Sequence, residues 1–382
     1  MKKFFILAGE ASGDIYGAAL AEELRRIGKE RGEEVSVMGM GGPAMRAAGV
    51  KIVVDSTELG VIGVFEVLKH IFTFIRIYFL LVRTAKKERP DAVIPIDYPG
   101  LNLMFAKAMH RAGIPVFWYV SPQVWLWGKR RLPTLAKVCS KMLVIFPFEE
   151  KVYAATPLRA KFVGHPITES AALRDTGTEE RDPDVFLLLP GSRRQEVERL
   201  LDPMLETVIA LHEKHGKLEF KLAAPRERIA GICRKRIEKF RRRRPELPEI
   251  DIVVGETGRL LLTSGTGIAA CGTVTLECAL VGLPLVVGYK LNLFTLFMVK
   301  LMLRHYRGSL TIANIVAERA VYREFIQNRF RVGELLPAVE EILPGGSRRA
   351  EVEADMREVA VKLEADSPVP ASRRAAEEIY RG

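Results

Sequence analysis

The sequence predicts an α/β protein built from two Rossmann-like domains that face each other across a cleft. Three observations predict it. Short apolar runs alternate with helical stretches through both halves, the pattern of parallel strands covered by helices. A polar stretch at 168–184, with Asp175, Gly177, Asp182 and Pro183, breaks the alternation, which restarts at Val185. At 382 residues the chain is too long for one typical core and suits two. The expected division is 1–167, a linker at 168–184, a second domain at 185–345, and terminal helices at 346–382 assigned back onto the first domain.

Residues 4–8 form the first buried strand. Behind Met1-Lys2-Lys3 the run superficially resembles a signal peptide, but it is too short and meets Glu10 and Asp14. Gly9-Glu10-Ala11-Ser12-Gly13-Asp14 then leads into a helix over 18–26. Two Gly in a strand-to-helix loop let a ligand approach the backbone. The spacing is not GxGxxG, so a nicotinamide cofactor gains little support. Glu10, Ser12 and Asp14 gather where open α/β sheets bind ligands, although Ser12 and Asp14 would also serve as plain helix caps. Strands follow at 35–38 and 50–54, separated by the Gly39-Met40-Gly41-Gly42-Pro43 loop and a short helix.

The segment 59–82 is apolar on most faces, with Lys69, His70 and Arg76 interrupting it and Arg83, Lys86, Lys87 and Arg89 at its edge. It is too short to span a bilayer and reads either as a helix lying on a membrane interface or as a packed one. The run Ala92-Val93-Ile94-Pro95-Ile96 delivers Asp97 at a strand end, and Pro99-Gly100 forces a turn. A carboxylate there caps the next helix or serves as a general base. All three Trp (118, 125, 127) cluster in and just after the next strand, at 114–119. They read first as core, and otherwise as an interface anchor or a sugar and lipid platform. A strand at 142–146 and the run to His165, a residue type more often structural than catalytic when alone, close the first half.

The second half opens on Val185-Phe186-Leu187-Leu188-Leu189-Pro190-Gly191-Ser192-Arg193. The strand ends at Pro190-Gly191, and Ser192 is expected to cap a helix, with Gln195 three residues on as in a capping box. Backbone N–H groups and the helix dipole would favour an anion, and Arg193 adds a planar fork of donors for phosphate. An ordinary strand–helix turn has the same signature. A helix at 199–215 and strands at 219–224 and 250–254 follow, and the stretches 260–264 and 267–271 lead on to Gly272. Gly272-Thr273 then leaves room for a phosphate or ribose, and Glu277 can accept from vicinal hydroxyls. A second apolar–basic helix is expected at 293–307. The tail is mostly charged helix.

Hydrophobic content of 48% excludes a disordered chain. The four Cys form no CxxC pair, which argues against a zinc knuckle or disulfide framework and fits a reducing cytoplasm. A net charge of +11 favours an anionic partner: nucleic acid, a phosphorylated substrate or an acidic membrane. The densest basic run, 234–244, has only Phe240 to stack on bases, and reads as a solvated helix face.

Several stretches together resemble the lipid A disaccharide synthases. They are Ala8-Gly9-Glu10-Ala11-Ser12-Gly13-Asp14, Ile96-Asp97-Tyr98-Pro99-Gly100-Leu101-Asn102, Tyr119-Val120-Ser121-Pro122-Gln123-Val124-Trp125, Pro147-Phe148-Glu149, Val163-Gly164-His165-Pro166 and Leu189-Pro190-Gly191-Ser192-Arg193. Gly272-Thr273-Val274-Thr275-Leu276-Glu277-Cys278, Asn314 and Glu324-Phe325-Ile326-Gln327 continue the likeness, in order, over nearly the whole chain. The chain departs from the family at Gly100-Leu101, where the family has Asp-Phe, so a second acid is missing. Thr311-Ile312-Ala313-Asn314 stands for Ser-Leu-Pro-Asn, and Cys271-Gly272-Thr273-Val274 for Ser-Gly-Thr-Ala. Ser264-Gly265-Thr266 is a weaker candidate for the latter.

The resemblance implies an inverting glycosyltransferase of the GT-B type. It would join UDP-2,3-diacylglucosamine to 2,3-diacylglucosamine 1-phosphate, giving the β(1→6) disaccharide 1-phosphate and UDP. In that reading Asp97 is the general base and Arg193 stabilises the departing UDP with Gly191 and Ser192. Glu277 holds the ribose beside Gly272 and Thr273. Asn314 and Gln327 lie near the diphosphate or donor sugar, and Gly9, Glu10, Ser12 and Asp14 line the cleft. No cofactor and no metal are expected, because the sole Asp-x-Asp, Asp182-Pro183-Asp184, falls in the linker. An anionic membrane surface is the expected macromolecular partner and nucleic acid is not. A homo-oligomer is left open. Placement is cytoplasmic, peripheral to the inner membrane. The rivals are a cell-wall N-acetylglucosaminyl transferase, a UDP-sugar epimerase, a nucleic-acid-binding protein and a non-catalytic lipid scaffold.

Overall fold

Lys2–Ala8 becomes β1, an interior strand of a parallel sheet, in the computed structural model, which describes residues 1–56, 71–126, 128–170, 180–291 and 308–382. Its apolar side chains Phe5, Ile6 and Leu7 are fully buried, as a strand covered by helices on both faces requires. Each such burial contributes about 1.5–3 kcal/mol. The chain divides into two units, one of Met1–Pro166 with Ser367–Gly382 and one of Ile167–Asp366.

In the first unit α1 (Ala11–Glu30) leads to β2 (Val35–Gly41), α2 (Pro43–Ala47) and β3 (Lys51–Asp55). Then come α3 (Ile71–Glu88), β4 (Ala92–Ile96), α4 (Pro99–Arg111), β5 (Phe117–Tyr119), α5 (Leu132–Val138), β6 (Lys141–Val144), α6 (Glu149–Tyr153) and β7 (Ala160–Phe162). The strand order is β3-β2-β1-β4-β5-β6-β7, every recorded pairing parallel. The chain winds outward from β1 and then crosses back to β4. The β1/β4 boundary is therefore a topological switch point, the place where such sheets open a crevice past their carboxyl ends.

The second unit repeats the plan with β8 (Asp182–Leu189), α7 (Arg194–Lys214), β9 (Glu219–Ala224), α8 (Glu227–Arg241), β10 (Ile250–Val254), α9 (Thr257–Thr263), β11 (Ser264–Ala270), α10 (Val274–Leu280), β12 (Leu285–Tyr289), α11 (Ile312–Ala317) and β13 (Arg323–Ile326). The order β10-β9-β8-β11-β12-β13 puts its switch point between β8 and β11.

The stretch 260–264, to which the sequence assigned no element, is mostly helix α9, and the buried strand begins at Ser264. Ser264-Gly265-Thr266 thus opens β11 at its amino end: a Cβ on Gly265 would lie 2.5 Å from Pro183 O, and Thr266 Oγ1 accepts from Arg349 at 2.9 Å. Asp182-Pro183-Asp184 starts β8 and is not linker; residues 171–179 lie outside the described set. Helix α12 (Val332–Glu340) lies in the second unit as expected, and of the terminal helices α13 (Arg349–Lys362) belongs there too, where Val352, Met356 and Val359 are buried and Arg319 holds Asp355 at 2.8 Å. Only α14 (Ala371–Arg381) joins the first. Its Ala375, Ala376 and Ile379 form one buried helical face, Tyr380 Oη donates to Leu24 O at 3.2 Å, and Arg373 clasps Glu30 at 2.6 and 2.9 Å.

The basic run of α8 is laced with ion pairs. Arg236 takes Asp202 at 2.6 and 2.9 Å, Arg242 takes Glu238 at 2.6 Å, and Arg244 takes Glu206 and Glu246 at 2.6 Å. The run is a paired helix face rather than an unpartnered cationic track.

Candidate functional site

At the β1/β4 switch point β1 is followed by Gly9, over which the Tyr98 ring lies so closely that a Cβ would fall 2.6 Å from Cδ1. Glu10 caps α1 in extended backbone, and Glu10 and Ser12 are exposed. Asp14, expected to meet substrate, is buried and committed elsewhere. Its carboxylate accepts the N–H groups of Gly42, Ala44 and Met45 at 2.6, 2.8 and 3.1 Å. It caps α2 and anchors the glycine-rich loop after β2.

Asp97 follows β4 directly. Asp97 and Tyr98 both adopt left-handed backbone, with φ of 43° and 44°. Neither is glycine, so each costs on the order of 1–3 kcal/mol. Buried Asn102 holds the turn, donating from Nδ2 to Asp97 O at 2.9 Å and Ile96 O at 3.1 Å, while Asp97 N–H donates to Tyr119 O at 3.1 Å. The Asp97 carboxyl is pushed up from 3.8 to about 6, by burial first and by the charge of Glu10 second, against the Tyr98 N–H. Such a carboxylate is ionised at neutral pH and is more basic than a free aspartate.

At the β8/β11 switch point Gly191 takes φ +109°, a conformation that suits glycine, and a Cβ there would meet Glu196 Oε2 at 2.4 Å. The helix α7 begins one residue later than expected. Its cap is Arg193 rather than Ser192, and the reciprocal acid is Glu196 rather than Gln195. Glu196 Oε2 accepts from Ser192 N at 3.0 Å and Arg193 N at 3.2 Å. Arg193 Nη1 reaches Glu196 Oε1 at 3.3 Å, yet its side chain is 81% exposed and available to a ligand. The acid folds the turn into shape while the guanidinium projects from it.

Gly272 and Thr273 are exposed just past β11. Burial raises the carboxyl of Glu277, one turn into α10. Asn314, expected near the diphosphate or sugar, is buried and hydrogen-bonded, and it lines a pocket with Tyr322, Glu324 and Arg329. Its Oδ1 accepts from Tyr322 N at 2.8 Å, and Nδ2 donates to Tyr322 O at 2.8 Å and Glu324 Oε1 at 3.0 Å. Glu324 in turn accepts from Leu310 N and Thr311 N at 3.0 and 2.8 Å. Gln327, just past β13, adopts left-handed backbone, φ +58°, and its buried Nε2 has no partner among the described residues. That donor suits a ligand. A recess at the ends of β11, β12 and β13 is lined by Cys271, Tyr289, Thr311 and Glu324.

Sequence reasoning missed Glu196 and Glu324 as the acids that shape these turns. It quoted Glu149 without giving it a role. His165 packs against Phe146 and Tyr16, with ring centroids 5.1 and 6.4 Å away, and burial lowers its pKa to about 3. Among the described residues no group of three or more His, Cys, Asp or Glu gathers as a metal-ligand set.

Helix α3 exposes Phe72, Ile75, Phe79 and Leu80, at 82%, 45%, 62% and 45% of their surfaces, beside exposed Arg76, Arg83, Lys86 and Lys87. Among the described residues no helix is long and apolar enough to cross a membrane. The flanking 57–70 and the second apolar–basic segment, 293–307, fall outside the described residues.

The family model described as lipid-A-disaccharide synthetase matches residues 4–379. A lipid-A-disaccharide synthase of Koribacter versatilis is 34% identical over 371 residues, covering 95% of this chain and 94% of its own. Among solved structures, the glycosyltransferase of kitacinnamycin superposes with a TM-score of 0.63 at 16% identity, covering 99% of this chain and 98% of its own. The UDP-GlcNAc 2-epimerase of Neisseria meningitidis, bound to UDP-GlcNAc, does so at 0.60 and 10% identity over 100% of this chain and 99% of its own. These two likenesses concern the fold, a pair of Rossmann-like domains.

Proposed function

The chain belongs to the lipid-A-disaccharide synthetase family, and from that premise we propose how its residues make the disaccharide. It is a hexosyltransferase of lipid A biosynthesis with the GT-B fold. The donor is UDP-2,3-diacylglucosamine and the acceptor 2,3-diacylglucosamine 1-phosphate. Asp97 takes the proton of the acceptor's 6-hydroxyl as that oxygen attacks the donor's anomeric carbon. The bond to the diphosphate breaks with inversion, and UDP leaves with the electron pair. Arg193 meets the charge growing on the leaving group, a role for a fixed cationic donor. Gly191 and Ser192 give close backbone approach, and Gln327 Nε2 and Glu277 serve the donor's sugar and ribose hydroxyls. Gly9, Glu10 and Ser12 line the acceptor's approach. Asp14 and Asn314 support their loops without touching substrate. No metal is invoked, since a cation and backbone N–H groups meet the charge.

The observation that carries this reading is the strained, half-buried Asp97, its carboxyl raised to about 6 at a switch-point strand end. The exposed apolar stripe of α3 with its basic edge supports docking on an anionic membrane surface, where both acylated substrates reside. Mass spectrometry of the reaction with both acylated glucosamines, chelator present, is expected to show the disaccharide 1-phosphate and UDP in equal amounts. Epimerised or hydrolysed donor without disaccharide, or strict Mg²⁺ dependence, would overturn it.

A further inference from the structure

Glu149 is a buried carboxyl that the reaction above leaves unused. It opens α6, just past β6. Its Oε2 accepts the Phe146 N–H at 3.2 Å. The Ile145 N–H lies on the same carboxyl, the Ser121 hydroxyl and the Trp125 indole stand near it, and the buried Trp125 Nε1 has no hydrogen-bond partner among the described residues. Ser121, itself buried, shares a 2.8 Å hydrogen bond with Tyr153 Oη and donates to Pro122 O at 3.0 Å. Helix α6, which Glu149 opens, is thus tied through Tyr153 to the turn after β5, with the Glu149 carboxyl buried between that turn and the one after β6.

The tied turn is a forced one. Val120 sits at φ +62°, which a β-branched residue adopts only where its surroundings hold it there. What the turn presents is aromatic. Trp125, half-exposed, meets half-exposed Phe148 edge to face at 5.3 Å and 90°, and Phe148 stacks on buried Phe146 at 5.5 Å. This wall is anchored next to Asp97, whose N–H donates to Tyr119 O one residue before Val120. A pyranose ring lays its C–H face on such aromatics while its hydroxyls find polar groups alongside.

We propose that Glu149 is a positioning residue of the acceptor site, clamping the Ser121–Trp125 turn so that Trp125 and Phe148 form a wall for the acceptor's sugar ring beside Asp97. The proposal rests on the reading of Asp97 as the acceptor's base. Burial pushes the Glu149 carboxyl up to about 8, so at neutral pH it is protonated, able to accept an N–H and to donate to the Ser121 hydroxyl. The titratable groups on the same side are Tyr153, raised above its ordinary value, and Cys139, pushed up to about 12. Both are neutral there.

The test is steady-state kinetics of Glu149→Ala, Glu149→Gln, Trp125→Leu and the Ala/Leu double variant, with Asp97→Asn as control. Glu149→Ala is expected to raise the acceptor KM about tenfold and leave the donor KM within twofold. Glu149→Gln, which mimics the protonated acid, is expected to rescue the acceptor KM and to lack the wild-type loss of acceptor kcat/KM above pH ~8. Trp125→Leu should match Glu149→Ala, and the double variant should be no worse than either. An unchanged acceptor KM in Glu149→Ala, an equal rise in donor KM, or additive losses would overturn the proposal. If Glu149→Ala does not fold, an unchanged acceptor KM in Trp125→Leu overturns it. An active Asp97→Asn sinks the acceptor reading itself; a dead Asp97→Asn with a silent Glu149→Ala sinks only the role of Glu149.

Discussion

The two switch points treat a carboxylate in opposite ways. At the end of β4 the Asp97 carboxyl has the Tyr98 N–H set against burial and the like charge of Glu10, on a strained backbone. Past β8 the fold supplies partners to Glu196, two backbone N–H groups and a guanidinium. In the proposed reaction the first arrangement makes the base. The second spends an acid on shaping a turn and leaves the exposed Arg193 as the charge proposed to meet the leaving group. Identical chemistry at two equivalent topological positions therefore does two jobs, and the hydrogen-bond inventory separates them.

The sharpest way to break the contrast is Asp97→Asn. Turnover should fall on the order of 10³-fold or more, as for a lost general base, with donor affinity within a few-fold. The same change should stabilise the protein. A carboxyl raised above its unfolded value favours the folded state only at low pH, and that contribution is lost as pH rises through about 6. Above that, the ionised Asp97 costs about 2–3 kcal/mol, which Asn removes. Thermal melts should show Asn above wild type at pH 8 and level with it near pH 4. A variant that keeps most of its kcat would remove Asp97 from the base role. Arg193→Ala comes next, with a loss of about 10²-fold in rate. Because the side chain is exposed, melts should move by no more than about 0.5 kcal/mol in either direction. In the wild type, kcat/KM should fall toward tenfold per pH unit below about 6. A flat acid limb would mean that Asp97 is not the group titrating.

The strands and the two turns were legible because their signals are local. Val185–Leu189 is a continuous apolar run, and Pro190-Gly191 ends it whatever surrounds it. The commitments of the polar residues were not. Asp14 finds its partners 28 to 31 residues away, in a loop that only the β1–β2 pairing brings near. Asn314 is consumed by Tyr322 and Glu324 across the α11–β13 connection. A sequence shows that such a residue sits near a strand end but not which donors reach it first. The same holds for Glu149, whose partners come from two different turns. Even the local capping box slipped by one residue, since Gly191's positive φ starts the helix later than spacing alone implies.

The mildest test addresses the acid that the second switch point has spent. Glu196→Ala leaves the Ser192 and Arg193 N–H groups without their acceptor and loosens the glycine turn that aims Arg193. A lost helix cap costs about 1 kcal/mol, so stability should drop by that much and the donor KM should rise about fivefold. Because Glu196 meets no reacting atom in this scheme, kcat should change less than twofold. Titration calorimetry with UDP gives the opposite sign if the comparison is wrong. Were the carboxylate a competitor sitting where the diphosphate must go, removing it would tighten UDP binding. Weaker UDP binding in Glu196→Ala, partly restored in Glu196→Gln, identifies Glu196 as the scaffold of the turn.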